Sequence, residues 1–463
     1  MIKGIRKRTL VGYFFAYTIV ALHILSGSQP FDDSTMEDLA KELFLSEPLQ
    51  DAEVSLLMAE GDKELFAYKS KKPLIPASNA KLFISAAALL ADKNKDIFPP
   101  LKTFARGSIE QGVLQGDLIL DSCGSLIFSA RFEQPKSFEA KNRLLAEQVK
   151  RYAEQLRSAG ITTVNGDIKL SFERWNASPK NAHYAPASAF SYNENTVDTL
   201  VENSILKTVP ENPLVFKFES TREIEDQDVT EDNCVRYNPE TDSTDFWRIS
   251  NVSANEYALS MLKQELRKHG IKILEQPLQS DITRKLLFET ATTLRINDFI
   301  NPLNKYSDNF RAEILALLLA KTGEGKAEYT HLNKTIHGIF ADNNLTLDSL
   351  TINDGSGLSR NNRVSAFDIA QLLQFMATHA SFENFKSSLA IASKTGTLEE
   401  RFKGTVWENS FYGKTGTLNE VSALSGYWFR KDKPIITFAF IGNGADNKDF
   451  WKALEKFALL LEY

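Results

Sequence analysis

The stretch Pro76-Ala77-Ser78-Asn79-Ala80-Lys81-Leu82-Phe83-Ile84-Ser85-Ala86-Ala87-Ala88-Leu89-Leu90-Ala91 decides how the chain folds. From Ser78 onward it is almost wholly apolar. The run is too long for a strand and apolar all round, so it predicts a helix buried on every side. Within it Ser78 and Lys81 stand at i and i+3, on one helix face, where the amine can reach the hydroxyl. A serine hydroxyl is a poor nucleophile until a base removes its proton. A lysine in an apolar pocket has its pKa lowered enough to do so. Ser78 also lies at the helix start, where free backbone N–H groups and the dipole favour a developing oxyanion. Ser-x-x-Lys recurs at Ser204–Lys207 and Ser260–Lys263, but both rivals fit worse. Ser260 lies inside an amphipathic helix, and Ser204 precedes no buried helix.

Upstream, residues 53 to 68 read as two strands joined at Glu60-Gly61-Asp62, after which Pro73 and Pro76 break the chain. Further back, Lys3, Arg6, Lys7 and Arg8 precede an apolar stretch from Leu10 to Leu25 and then Ser26-Gly27-Ser28. That layout predicts a secretory signal over 1–28, cut after Ser28. An uncleaved membrane anchor is the alternative, although the stretch is short of the ~20 residues a span needs. Either way the body is exported.

Downstream, roughly 92–290 has a different texture of short strands, turns and acidic loops. It holds an echo, Gly116-Asp117-Leu118-Ile119-Leu120 and Gly166-Asp167-Ile168-Lys169-Leu170, read as related strands of one β-rich inserted domain. The acidic stretch Glu219 to Asp232 is expected to be a solvated loop. Residues 253–269 predict an amphipathic helix with Gly270 at its C-cap. Helical signals resume at 308–321 and 365–379. Strands follow around 411–414, 422–430 and 435–441, then a last helix over about 448–461. Residues 29–91 and 291–463 thus read as one α/β (α+β) domain interrupted by the insertion.

The 463-residue composition, 43% hydrophobic and 25% charged, is that of a globular protein, which excludes collagen-like and largely disordered chains. A net charge of −6 argues against a nucleic-acid binder. Two cysteines, Cys123 and Cys234, rule out a disulfide framework and a cysteine-rich zinc site, leaving at most one bridge. Gly-x-Ser-x-Gly, His-Glu-x-x-His, a Walker loop and Gly-x-Gly-x-x-Gly are all missing, and the six histidines show no ligand spacing. Two further elements carry chemistry. Ser307-Asp308-Asn309 enters an apolar helix. Lys-Thr-Gly-Thr-Leu occurs twice, at Lys394 and Lys414. The second copy is flanked by strand-like sequence, and its Gly416 leaves room for a substrate backbone, so a lysine there suits carboxylate capture. The first copy runs into Glu399-Glu400-Arg401-Phe402, which reads as a solvent-exposed turn.

Ser78-x-x-Lys81, Ser307-x-Asn309 and Lys414-Thr415-Gly416, in that order, resemble the penicillin-binding proteins and serine β-lactamases. Further matches narrow the resemblance to the class C low-molecular-mass group, the D-alanyl-D-alanine carboxypeptidase/endopeptidase family. They are Tyr184-Ala185-Pro186-Ala187-Ser188-Ala189 with Asn193-Glu194-Asn195, Asp354-Gly355-Ser356-Gly357-Leu358-Ser359-Arg360, and Ser422-Ala423-Leu424-Ser425-Gly426-Tyr427. The large gap between Ser78 and Ser307 agrees with the insertion the family carries. Three positions depart from the family pattern. Ser122-Cys123-Gly124-Ser125 replaces a glycine-rich turn. Ser171 falls where relatives often place an acid facing the substrate side chain, which puts recognition of a diaminopimelate amine in doubt. Lys394-Thr395-Gly396 stands where relatives often read Asp-Gly-Thr-Leu.

The resemblance implies a transpeptidase/β-lactamase-like fold, with a five-stranded antiparallel sheet flanked by helices and a large β-rich insertion. It implies Ser78 as nucleophile, Lys81 as general base and Ser307 as proton relay. Asn309 would hold the substrate amide, Lys414 supply positive field and Thr415 grip the terminal carboxylate. The N–H groups of Ser78 and Thr417 would form the oxyanion hole, with Arg360 also among the substrate-binding residues. No metal or organic cofactor is implied. The implied partners are peptidoglycan stem peptides and, as covalent inhibitors, β-lactam antibiotics. There is no nucleic acid among them, and a peripheral membrane association is open. The implied location is the periplasm or the outer face of a bacterial cytoplasmic membrane. A β-lactamase and a non-catalytic wall-binding protein are the two rival readings.

Overall fold

The computed structural model describes residues 40–46, 48–91, 98–122, 124–130, 137–171, 187, 190–211, 213, 216–229, 234–248, 253–277, 283–291, 294–321 and 327–461. The expected export segment 1–28, Cys123 and Tyr184-Ala185-Pro186 lie outside the described residues. The chain divides into two compact units. One comprises 1–91, 299–312 and 332–463; the other comprises 92–298 and 313–331.

The first unit is built on an antiparallel sheet. Its order is Ala390–Ile391, Phe411–Leu418, Val421–Trp428, Ile436–Asn443, Glu53–Glu60, Lys63–Tyr68. The five expected strands are all present, and the two-residue strand Ala390–Ile391 adds a sixth at the edge. Alternation along the strands sorts the two faces. Val54, Leu56, Met58, Leu424, Phe438 and Phe440 share one face with Phe450, Leu454 and Phe457 of the last helix, Asn447–Leu460, in a core with Trp407. The opposite positions mix small residues, Ser55, Ala59, Ala423, Ser425 and Ala439, with larger ones, Leu57, Tyr427 and Ile441. Small side chains let helices come close. The N–H of Ala366, opening the helix Ala366–Thr378, donates to Ser55 Oγ, and Tyr427 Oη donates to the Leu373 carbonyl of that helix.

The apolar stretch is helical over Ala80–Ala91, entered through a 3₁₀ turn at Ala77–Asn79. Every residue from Ala80 to Leu90 is buried, which is why the sequence shows no polar stripe.

The second unit has a five-strand path, Lys272–Ile273, Thr163–Val164, Val113–Asp121, Leu101–Glu110, Lys285–Thr290. The helices Phe138–Ser158 and Ala254–Lys268 bring Val149, Tyr152, Leu156, Tyr257, Met261 and Leu266 into its core. The two Gly-Asp echoes meet there as parallel neighbours, Leu118 opposite Ile168 and Leu120 opposite Leu170. Asp117 at the crossing is buried. Its carboxylate accepts the Asp167 N–H at 2.9 Å and the Lys169 amine at 2.8 Å, and pairs with Arg106. Gly166 cannot carry a side chain there, since a Cβ would lie 2.4 Å from the Asp117 Oδ1.

The acidic stretch differs from the expected loop. Lys217–Ser220 and Gln227–Val229 are short strands on either side of Cys234–Tyr237, whose Cys234 and Val235 are buried. Pairing with a strand that has two buried residues, together with the Arg236–Asp228 ion pair, orders a segment whose charges alone favour water.

Candidate active site

The 3₁₀ turn delivers Ser78 to the start of the buried helix, and one helical turn later Lys81 is fully buried. The Lys81 amine lies 2.9 Å from Ser78 Oγ and 2.8 Å from Asn309 Oδ1, and it also donates to the Ser356 carbonyl. Ser78 Oγ in turn donates to that carbonyl at 3.3 Å. The three acceptors match the three N–H donors of an ammonium. Next to Ser78, Asn79 donates to Ser425 Oγ at 2.8 Å and so ties the turn to the sheet.

The acceptor carbonyl of Ser356 belongs to a loop organised by one carboxylate. Asp354 accepts from the N–H of Gly357 at 3.0 Å, the N–H of Ser359 at 2.7 Å and the Asn362 amide at 2.7 Å. Gly357 takes φ +85, and a Cβ there would sit 2.0 Å from the Ala77 carbonyl oxygen. The loop backbone is therefore pressed against the Ser78 turn.

Ser307 precedes the helix Asn309–Leu319 in a left-handed conformation, φ 60. Asp308 accepts the Arg311 N–H at 2.9 Å and pairs with its guanidinium, fixing the helix entry. The Lys414 amine donates to Ser307 Oγ at 3.0 Å and to the Thr415 carbonyl at 2.6 Å. Lys414 is fully buried and makes no ion pair among the described residues. Burial first, and the nearby Lys81 charge second, hold its amine well below the usual lysine range.

The strand Phe411–Leu418 pairs along its length with Val421–Trp428, Lys414 opposite Ser425 and Gly416 opposite Ala423. A Cβ on Gly416 would lie 2.7 Å from the Pro76 carbonyl oxygen and 3.1 Å from the Ser78 nitrogen. The strand backbone thus runs beside the Ser78 N–H, as an oxyanion hole needs. Thr417 is exposed at the strand end. The Arg360 guanidinium donates to the Asn419 carbonyl at 2.9 Å, in the hairpin turn that follows.

Ser78, Lys81 and Asn309 therefore form one hydrogen-bonded group and Ser307, Lys414 and Thr415 a second, and the Lys81 charge acts on the Lys414 amine between them. Arg360 joins them only through the hairpin turn. Neither rival serine belongs to either group. Ser204 is exposed in a strand turn at φ 63, and Ser260 donates to the Tyr257 carbonyl inside its helix. Ser171 accepts from the Arg284 guanidinium at 3.1 Å.

Three participants carry no assigned role in the sequence reading, although Asp354 and Ser356 lie in a quoted motif. The Ser356 carbonyl has no side-chain signature, and Asp354 acts through backbone. Thr397 sits in the first Lys-Thr-Gly-Thr-Leu copy, whose Lys394 is exposed as expected. The rest of that copy is not a solvent turn. Leu398 is fully buried, and Thr415 Oγ1 donates to Thr397 Oγ1 at 2.8 Å.

Residues 37–462 match the D-Ala-D-Ala carboxypeptidase 3 (S13) family. A D-alanyl-D-alanine carboxypeptidase of Actinomadura sp. (strain R39) is 24% identical over 428 residues, 82% of this chain and 76% of the relative. The D-alanyl-D-alanine carboxypeptidase DacB of Haemophilus influenzae is 22% identical over 421 residues, 82% of this chain and 83% of the relative. The crystal structure of penicillin binding protein 4 (dacB) from Haemophilus influenzae shares the fold, with a TM-score of 0.66 and 19% identity, over 93% of this chain and 98% of that one. A family match spanning nearly the whole chain, with a shared fold, agrees with the motif resemblance, and the chain belongs to the D-Ala-D-Ala carboxypeptidase 3 (S13) family.

Proposed function

We propose that the chain is a penicillin-sensitive serine D-Ala-D-Ala carboxypeptidase that trims peptidoglycan stem peptides through an acyl-enzyme. The observation that carries this reading is the Lys81 amine 2.9 Å from Ser78 Oγ, with two other acceptors, Asn309 Oδ1 and the Ser356 carbonyl, already in place. A neutral Lys81 would keep its two N–H donors on those acceptors and turn its lone pair toward Ser78.

In that reading Ser78 Oγ gives its proton to Lys81 and bonds to the carbonyl carbon of the penultimate D-alanine. The oxyanion rests on the N–H groups of Ser78 and Thr417. The C–N bond breaks as Ser307, hydrogen-bonded to Lys414, gives its proton to the leaving D-alanine nitrogen and takes in its place the proton that Lys81 received, which leaves Lys81 neutral again. Asn309 holds the substrate amide, Lys414 supplies positive field and Thr415 takes the terminal carboxylate. Water gives a proton to Lys81 and bonds to the ester carbon, and as the acyl C–O bond breaks that proton returns to Ser78 Oγ. A stem peptide cross-linked through its D-alanine presents the same bond with a longer leaving amine, so endopeptidase action needs no new group. Residues 92–290, which lie within the second compact unit, are read as the inserted domain, and the basic and apolar N-terminal start supports export to the periplasm or outer membrane face. No helix among the described residues is long and apolar enough to cross a membrane.

Labelled penicillin followed by peptide mapping tests the nucleophile, and turnover of purified peptidoglycan tests the substrate. The adduct is expected on Ser78 and long-lived, with released D-alanine. A label on Ser204 or Ser260 overturns the site. Rapid penicillin turnover without D-alanine release makes the protein a β-lactamase, and neither activity makes it a wall-binding protein.

A further inference from the structure

We propose that Thr397 is a positioning residue for the carboxylate subsite, setting the Thr415 hydroxyl so that the enzyme selects substrates ending in a free carboxylate. This deepens the carboxypeptidase reading and rests on it. The duplicated motif divides its parts in an unexpected way. In the first copy the lysine is in solvent while the second threonine reaches the site.

The turn bearing Thr397 is held from several sides. The Ile391 N–H donates to Thr395 Oγ1 at 3.0 Å, and the Ser393 N–H donates to the Leu398 carbonyl at 2.9 Å. Gly396 takes φ +63, and a Cβ there would lie 2.2 Å from the Lys305 carbonyl oxygen. The turn is thereby wedged against the segment that leads into Ser307. From this seat the half-buried Thr397 hydroxyl meets the buried Thr415 hydroxyl at 2.8 Å.

A threonine hydroxyl has one proton and two lone pairs. Here Thr415 directs its proton at Thr397. A carboxylate needs that proton. Thr415 can turn it toward the anion without loss if Thr397 rotates and donates its own proton to Thr415 Oγ1. The two hydroxyls then form a chain ending on the negative charge, each bond polarising the next. A neutral amide or ester in the same place gains much less, because hydrogen bonds to charged groups are the stronger ones. The effect of Thr397 must therefore follow the charge of the ligand, which a purely structural role would not do.

The test uses the full-length protein with Thr397→Val, which keeps the shape and removes the hydroxyl, and Thr397→Ser, which keeps the hydroxyl. Rates are measured for an acyl-Lys-D-Ala-D-Ala peptide and its C-terminal amide, and for acylation by benzylpenicillin and its methyl ester. Thr397→Val should lose roughly 10- to 100-fold in kcat/KM on the two carboxylates and less than about 3-fold on the two neutral forms. Thr397→Ser should return the carboxylate rates to within about 3-fold of the parent protein. Equal losses on charged and neutral forms, or no loss on the carboxylates, overturn the proposal. If the parent protein acylates with penicillin but leaves the peptide intact, the carboxypeptidase reading falls, and the penicillin pair still decides the role of Thr397.

Discussion

Gly357→Ala tests whether the Ser356 carbonyl holds the Ser78–Lys81 pair in its working geometry. The added Cβ would lie 2.0 Å from the Ala77 carbonyl oxygen, 2.6 Å from its carbon and 3.1 Å from the Ser78 Cα. A relaxed carbon–oxygen contact is about 3.3 Å, so the loop and the nucleophile turn must part by roughly 1 Å. Ser356, the adjoining residue, supplies the acceptor for both Lys81 and Ser78, so the parting falls directly on the reacting pair. A displacement of about 1 Å typically costs on the order of 100-fold in rate. Alanine at φ +85 adds about 1–2 kcal/mol of backbone strain, and with the clash the fold should lose about 2–4 kcal/mol. Gly338→Ala is the control. It lies in the helix Tyr329–Asp342 with nothing within 4 Å of the added Cβ, and should stabilise by about 0.5–1 kcal/mol. The assay pairs urea unfolding with the second-order rate of acylation by a fluorescent penicillin. A folded Gly357→Ala protein that acylates within about threefold of the parent would refute the role given to the Ser356 carbonyl.

Lys414→Ala should lose about 2–4 kcal/mol of transition-state stabilisation, roughly 30- to 1000-fold in kcat/KM on a D-Ala-D-Ala peptide. Lys394→Ala should change it by about 0.5 kcal/mol or less, since that lysine is exposed; the reverse order would move the active-site strand to the first copy. Because burial holds the Lys414 amine below its usual 10.5, the unfolded chain binds a proton there that the native state lacks. Between the depressed value and 10.5 the parent protein should therefore gain stability with rising pH relative to Lys414→Met, and a pH-independent difference between the two melts would contradict this. At Asp117 burial pushes the carboxyl up, but the donors on Lys169, the Asp167 N–H and Arg106 outweigh it and hold the group below its usual 3.8. Asp117→Asn should lose about 2 kcal/mol at neutral pH, less than a fully buried pair because both cations reach solvent. The loss should shrink as pH falls through the depressed value, and a deficit that persists in acid would show that packing, not charge, sets it.

The sequence discloses those parts of the molecule in which a side chain or a period carries the information. The almost wholly apolar helix, the Glu60-Gly61-Asp62 hairpin and the strands around Lys414 each announce themselves by residue type. The nucleophile face is legible because i and i+3 must meet on any helix. What stays hidden depends on backbone atoms or on partners far along the chain. The carbonyl of Ser356 looks like any other. Thr397 stands just before Glu399 and Glu400, which are exposed while the threonine is half-buried, so local composition points the wrong way. The strands at 217–220 and 227–229 exist because 234–237 pairs with both, a relation that no property of the acidic residues reports. The edge strand Ala390–Ile391 is two residues long, too short for any alternation to show.

The sheet of the first unit has a temporal consequence. Its strand Glu53–Glu60 pairs with Ile436–Asn443, Glu53 opposite Asn443, so the bed beneath Ser78 cannot be completed until nearly the last residue has been made. The second unit draws its core from Leu101 to Ile273 and can close while the first is still waiting, its early hairpin and apolar helix unpaired. Pairings this distant in sequence form slowly and leave strand edges exposed meanwhile. A chain cut short near its end would thus keep a folded second unit and lose the nucleophile's setting, although Ser78 itself is intact. Covalent labelling by penicillin then works as a proofreading mark: only chains that have closed from first strand to last can carry it.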